Sequence, residues 1–182
     1  MGENIKTQNI KIRTARKMTE QRLRNIALHY MERFGGTEKS VRDMLNRRLY
    51  KSLQDHPDQD REQINNWIDE IISTANRLGY IDDTAYAKRK VNALVRQGDS
   101  KKMITMKLKK KGITDMGIEN AFEELDEDSE YKSAVAYTKK RKFGIYNSEP
   151  TEDQNVFNKQ LASLARRGFS YSISRRALLG EE

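Results

Sequence analysis

The chain has 182 residues, 36% of them hydrophobic and 34% charged, and its 35 Lys and Arg outnumber 27 Asp and Glu for a net charge of +8. That apolar share is low for a compact globule, so an elongated helical array, which exposes more surface per residue, fits better. The absence of cysteine excludes disulfides and thiolate metal sites, no apolar run approaches the ~20 residues of a membrane span, and the excess of cations favours polyanionic partners.

Residues 1–17 are polar and basic and lack the apolar core of a secretory signal, so they read as a flexible basic tail on a cytoplasmic protein. From Met18 onward nearly every segment carries a helical period. Leu23, Ile26, Ala27, Tyr30, Met31 and Phe34 form one apolar stripe, ended by Gly35 and Gly36. Thr37 can cap the next helix, whose buried side is Val41, Met44, Leu45 and Leu49. Residues 54–60 read as a loop, followed by a long helix with Ile64, Trp67, Ile68, Ile71, Ile72, Ala75 and Leu78 inward.

Gly79 suits the left-handed position after that helix, and Asp82 is a fair cap for the next, with Ile81 and Tyr86 placed as a hydrophobic staple. The helix beginning there buries Ala87, Val91, Leu94 and Val95. Asp99 or Ser100 starts another, containing Ile104 and Leu108 and ended by Gly112. Thr114 caps a short helix with Ile118, Ala121, Phe122 and Leu125 inside. Tyr131, Ala134 and Val135 mark a seventh helix, and residues 144–150 a loop. Thr151 with Gln154 forms a capping box for an eighth, with Phe157, Gln160, Leu161, Leu164 and Ala165 inward. Ser170 caps the last, with Ile173, Ala177 and Leu178 apolar. Nine helices and no strand are expected.

Two stretches match at a fixed offset. Residues 108–114 and 164–170 each read as an apolar anchor, a basic pair, a glycine, an apolar residue and a hydroxyl cap. A looser copy sets Thr37, Val41 and Leu45 over Ser100, Ile104 and Leu108. The expected fold is all-α: three tandem three-helix repeats in an elongated, curved array, at residues 18–81, 82–127 and 128–182.

No catalytic constellation is visible. The two histidines, His29 and His56, have no nucleophile at a recognisable spacing, and Asp55, Asp58 and Asp60 lack the glycine and terminal Glu of a calcium loop. There is no phosphate-cradling glycine loop. No enzyme, cofactor or metal is expected.

The charge is patterned. Residues 88–111 hold ten cations against one acid, Asp99, whereas residues 115–130 hold eight acids and no base. Lys88 and Arg96 share the helix face opposite the buried stripe, and Lys102 shares a face with Lys109. Such ridges fit a phosphate track or an acidic protein groove, or are wet helix faces. Aromatic residues are not interleaved with the cations, so sequence-specific readout and base stacking are not indicated.

The run from Gly79 through Tyr80, Ile81, Asp82 and Asp83, the pair Tyr86 and Ala87, then Gly98, Ile104, Leu108 and Lys111-Gly112-Ile113 resembles the RecX family of RecA-recombinase regulators. The closing Leu164 with Arg166, Arg167, Gly168, Phe169 and Ser170 looks like that family's C-terminal repeat. Leu49 stands where the family's first unit has a helix-ending glycine. The resemblance implies three tandem three-helix repeats that lodge in the groove of the RecA filament on single-stranded DNA. It also implies inhibition of RecA ATPase, strand exchange and co-protease activity, and so modulation of recombination and the SOS response. Duplex DNA is a further possible partner, no membrane is involved, and a monomer is expected. The cations expected to meet filament or DNA are Lys88, Arg89, Arg96, Lys102, Lys107, Lys109, Lys110, Arg166 and Arg167. The alternative reading is a stand-alone DNA- or RNA-binding helical protein without sequence preference.

Overall fold

The computed structural model describes residues 14–149 and 153–181. Among them are nine α-helices and no strand: α1 (Glu20–Phe34), α2 (Glu38–Asp55), α3 (Arg61–Arg77), α4 (Asp83–Arg96), α5 (Lys101–Lys110), α6 (Asp115–Glu123), α7 (Ser129–Arg141), α8 (Gln154–Arg167) and α9 (Tyr171–Leu179). One 3-10 turn, Gly144–Tyr146, interrupts the segment expected to be loop between α7 and α8.

Helix starts follow the chemistry of the orphan N–H groups. Thr19, Thr37, Asp82, Ser100, Thr114 and Ser170 each accept from the backbone N–H three residues on, and Asp60 accepts from Glu62 and Gln63. Each such cap is worth about 1 kcal/mol. Ser100, rather than Asp99, therefore starts α5. Asp153 caps α8, with Asn155 N–H donating to it at 2.8 Å; the capping box expected at Thr151 lies outside the described residues. Helix α2 runs to Asp55, into the segment expected to be loop, because Ser52 is buried and its carbonyl still accepts the His56 N–H.

The core falls into three clusters. The first joins α1, α2 and α3 through Leu23, Val41, Leu45, Ile64 and Ile68, the second α4, α5 and α6 through Val91, Ile104, Leu108 and Ile118, and the third α7, α8 and α9 through Ala134, Leu164, Phe169 and Leu178. Burying each large aliphatic side chain contributes about 1.5–3 kcal/mol. Three expected core positions are corrected. Phe34 and Leu78 are 64% and 62% exposed: each keeps the angular position of its stripe but sits at the very end of its helix, past the last buried residue, Met31 in α1 and Ala75 in α3. Ala165 is exposed, one position off the face carried by Leu164.

Residues 14–17 lie against the end of α2 rather than free. Ala15 N donates to Asp55 Oδ2 at 2.5 Å, Ser52 Oγ donates to the Arg16 carbonyl at 2.9 Å, and Lys17 pairs with Asp58 at 2.6 Å. Residues 1–13 of the expected tail lie outside the described residues.

Candidate functional site

The middle helix of each of the first two bundles also reaches the next bundle. The Thr37 hydroxyl at the start of α2 donates to the Lys111 carbonyl at the end of α5, 2.6 Å away. One bundle later the Ser100 hydroxyl at the start of α5 donates to the Arg167 carbonyl at the end of α8, 2.5 Å away. Both hydroxyl residues are wholly buried. The glycine after each accepting carbonyl makes room for the lysine two residues beyond the cap. A Cβ on Gly112 would stand 2.6 Å from Lys39 Cβ, and one on Gly168 would stand 2.9 Å from Lys102 Cβ. The matched sequence stretches are thus the matched halves of two joints.

The joints differ in their second contacts. At the first, Glu38 N donates to Asp83 Oδ1 at 3.0 Å. Burial raises the Asp83 carboxyl above its ordinary range; the Glu38 N–H opposes this, while the charges of Glu38 and Asp82 add to it. At the second, α4 packs along α7. Gly98 lies against the α7 backbone, where a Cβ would meet Tyr137 N at 2.7 Å, and Ser133 Oγ donates to the Asp99 carbonyl at 2.7 Å. Asp99, the one acid amid the basic run, is 2% exposed and pairs with both Lys107 and Arg167, the latter at 3.3 Å. The Arg167 guanidinium also covers the Tyr137 ring at 5.0 Å.

These contacts divide the nine cations that the sequence points to. Arg167 is built into the second joint. Lys107 carries one bond to Asp99, Lys88 pairs with Glu124 at 2.5 Å, and Lys109 pairs with Asp115 at 2.6 Å. The acidic block at residues 115–130 therefore neutralises part of the basic run beside it. Arg89, Arg96, Lys102, Lys110 and Arg166 are exposed and carry no ion pair among the described residues. Sequence reasoning leaves out Arg47, Lys90, Lys111 and Tyr30, which the fold gathers with Lys107 and Lys110 around one cleft at the first joint. Arg47 lies on a helix whose sequence signal is its apolar side, and Tyr30 falls in the core stripe of α1, so only the angle between the bundles reveals the grouping.

Among the described residues no cluster of three or more His, Cys, Asp or Glu could hold a metal ion, and no helix is long and apolar enough to cross a membrane.

Known proteins resemble this chain in sequence and fold. A model of the second three-helix domain of RecX matches residues 82–121, spanning α4 to α6. The regulatory protein RecX of Agrobacterium fabrum is 31% identical over 156 residues, covering 85% of this chain and 80% of that one. This chain belongs to the RecX family. The regulatory protein RecX of Myxococcus xanthus is 29% identical over 164 residues, covering 90% of this chain and 87% of that one. The crystal structure of RecX from Lactobacillus salivarius superposes with a TM-score of 0.63 at 28% identity, covering 88% of this chain and 95% of that one. The all-helical RecX fold is thus shared along nearly the whole length.

Proposed function

We propose that this RecX-family chain regulates a RecA-type recombinase by binding its filament on single-stranded DNA. The observation that carries the reading is kinship with proteins named regulatory protein RecX over 80% and 87% of their lengths. In this reading residues 18–81, 82–127 and 128–182 are three repeats that follow the filament groove, preceded by the basic tail of residues 1–17. The exposed cations Arg89, Arg96, Lys102, Lys110 and Arg166 meet DNA phosphates or acidic protomer surfaces, supported by their lack of ion-pair partners within the described chain. A rigid body touching successive protomers opposes the relative motion that accompanies ATP turnover and hinders entry of a second duplex. ATPase, strand exchange and co-protease activity fall together, and recombination and the SOS response are restrained. The chain itself catalyses nothing and works as a cytoplasmic monomer.

Titration separates this function from stand-alone nucleic-acid binding. The labelled protein is titrated with naked single strands and with recombinase-coated strands at the same salt concentration. Tighter binding to the coated strand supports filament regulation. Equal binding, weakening alike with salt, supports the stand-alone reading instead.

A further inference from the structure

The cleft at the first joint, about 610 Å³ in volume, lies between the first and second bundles. Arg47 reaches it from α2, Lys90 from α4 and Lys107 and Lys110 from α5, with Lys111 just beyond. Among the described residues Arg47, Lys90, Lys110 and Lys111 have no ion pair, and Lys107 alone spends its charge on Asp99. The one acid in the lining, Asp43, is paired with Lys39 at 2.9 Å. Four uncompensated cations from three separate elements therefore converge on a concave surface. Like charges held together in this way repel one another, and a polyanion relieves the repulsion.

Tyr30 lines the same cleft from α1. Its ring lies 5.4 Å from that of Phe34, which is 64% exposed and is itself covered by the Arg33 guanidinium at 5.3 Å. A positive groove beside an aromatic pair, here the half-buried Tyr30 and the exposed Phe34, is the combination that tracks a single strand, with phosphates on the cations and bases on the rings. The linear sequence hides it, because the rings belong to the first bundle and most of the cations to the second.

We propose that the cleft between the first two bundles holds a segment of single-stranded nucleic acid, its phosphates on Arg47, Lys90, Lys110 and Lys111 and a base against Tyr30 and Phe34. The assignment rests on reading the chain as a nucleic-acid partner, and does not require the recombinase. The bases of a duplex are already paired and stacked on one another and cannot lie against Tyr30, so the site selects single strands. An acidic peptide would satisfy the cations but leave the aromatic pair unused.

The test uses the full chain without recombinase and a labelled oligothymidylate. The parent is compared with Arg47→Gln/Lys90→Gln/Lys110→Gln, with Phe34→Leu, and with a control carrying Lys140→Gln/Lys159→Gln, two exposed cations in the third bundle. The triple variant is expected to bind at least about tenfold more weakly and to lose about 2 from the salt-dependence slope, at about 0.7 per phosphate contact. Phe34→Leu is expected to weaken binding several-fold with the slope unchanged, since stacking carries no counterions. Circular dichroism of each variant checks that the helices are retained. The proposal is overturned if the triple variant binds no worse than the control, if a duplex of equal length binds as tightly and loses as much, or if a polyglutamate peptide displaces the strand equally well. Recombinase ATPase is followed in parallel. Inhibition without cleft-dependent strand binding leaves filament regulation standing and sinks the cleft, and cleft-dependent binding without inhibition does the reverse.

Discussion

The Thr37 hydroxyl donates to the Lys111 carbonyl at 2.6 Å, so one buried side chain both caps α2 and ties the first bundle to the second. Ser100 does the same for α5 and the Arg167 carbonyl. Replacing either hydroxyl removes a cap, worth about 1 kcal/mol, and leaves a carbonyl short of a partner, costing about 1–3 kcal/mol. Thr37→Val and Ser100→Ala are therefore each expected to destabilise the chain by about 2–4 kcal/mol in urea unfolding. A loss near that of a surface substitution would mean that the joints do not contribute to folding stability.

Gly112 and Gly79 both have positive φ, +85° and +73°, but only Gly112 faces a neighbour: a Cβ there would stand 2.6 Å from Lys39 Cβ, whereas one on Gly79 would meet open space. Gly79→Ala is expected to cost only the left-handed backbone penalty, about 1–2 kcal/mol. Gly112→Ala adds a clash with a Cβ that cannot swing away, so the joint must open and the cost is expected to be clearly larger. Thermal unfolding of the two variants side by side checks the order, and equal losses would contradict close packing at the joint.

Arg166 and Arg167 are adjacent in sequence and unlike in role. Arg166 is exposed, whereas Arg167 pairs with the buried Asp99 and covers Tyr137. Arg166→Gln is expected to leave stability within about 0.5 kcal/mol, while Arg167→Gln costs about 1–3 kcal/mol by stranding a buried carboxylate that Lys107 only partly compensates. A double-mutant cycle between Asp99 and Arg167 should return a coupling of about 1 kcal/mol or more, and zero coupling would place Arg167 among the free cations.

The pH dependence of Asp83 has a definite sign. Its folded carboxyl titrates above the ordinary value, chiefly through burial. The folded state therefore binds that proton more tightly than the unfolded state, and stability falls as pH rises through the interval between the two values. Asp83→Asn keeps the oxygen that accepts from Glu38 and removes the charge. It is expected to be the more stable form at neutral pH, with the advantage shrinking as acid protonates Asp83 in the parent. A stability difference that stays constant from neutral to acid pH would contradict the shift.

Much of the helical scaffold is legible in the residues because it depends on local chemistry. The stripes through Val41, Leu45 and Ile64, Ile68 and the caps at Thr37, Asp82, Thr114 and Ser170 need only the helical period and a side-chain oxygen. The matched stretches ending in Gly112 and Gly168 also announce a corner used twice, but not that each corner receives a lysine from the preceding bundle. Burial of Asp99 is illegible for the same reason: an acid amid cations reads as solvated until α7 is known to cover it. The candidate site is the least readable part. Lys88 and Lys109 look free because their partners, Glu124 and Asp115, lie in an acidic block that reads separately, and Tyr30 comes to line the same cleft as Lys90 only through packing of the first bundle against the second.

The most direct test of filament regulation is the steady-state ATPase rate of the recombinase from the same organism on single-stranded DNA, with increasing amounts of this protein. A fall in turnover at amounts well below the recombinase is the predicted result, because one bound chain restrains several protomers. Turnover unchanged even at excess protein, under conditions where the protein demonstrably binds the coated strand, would contradict it.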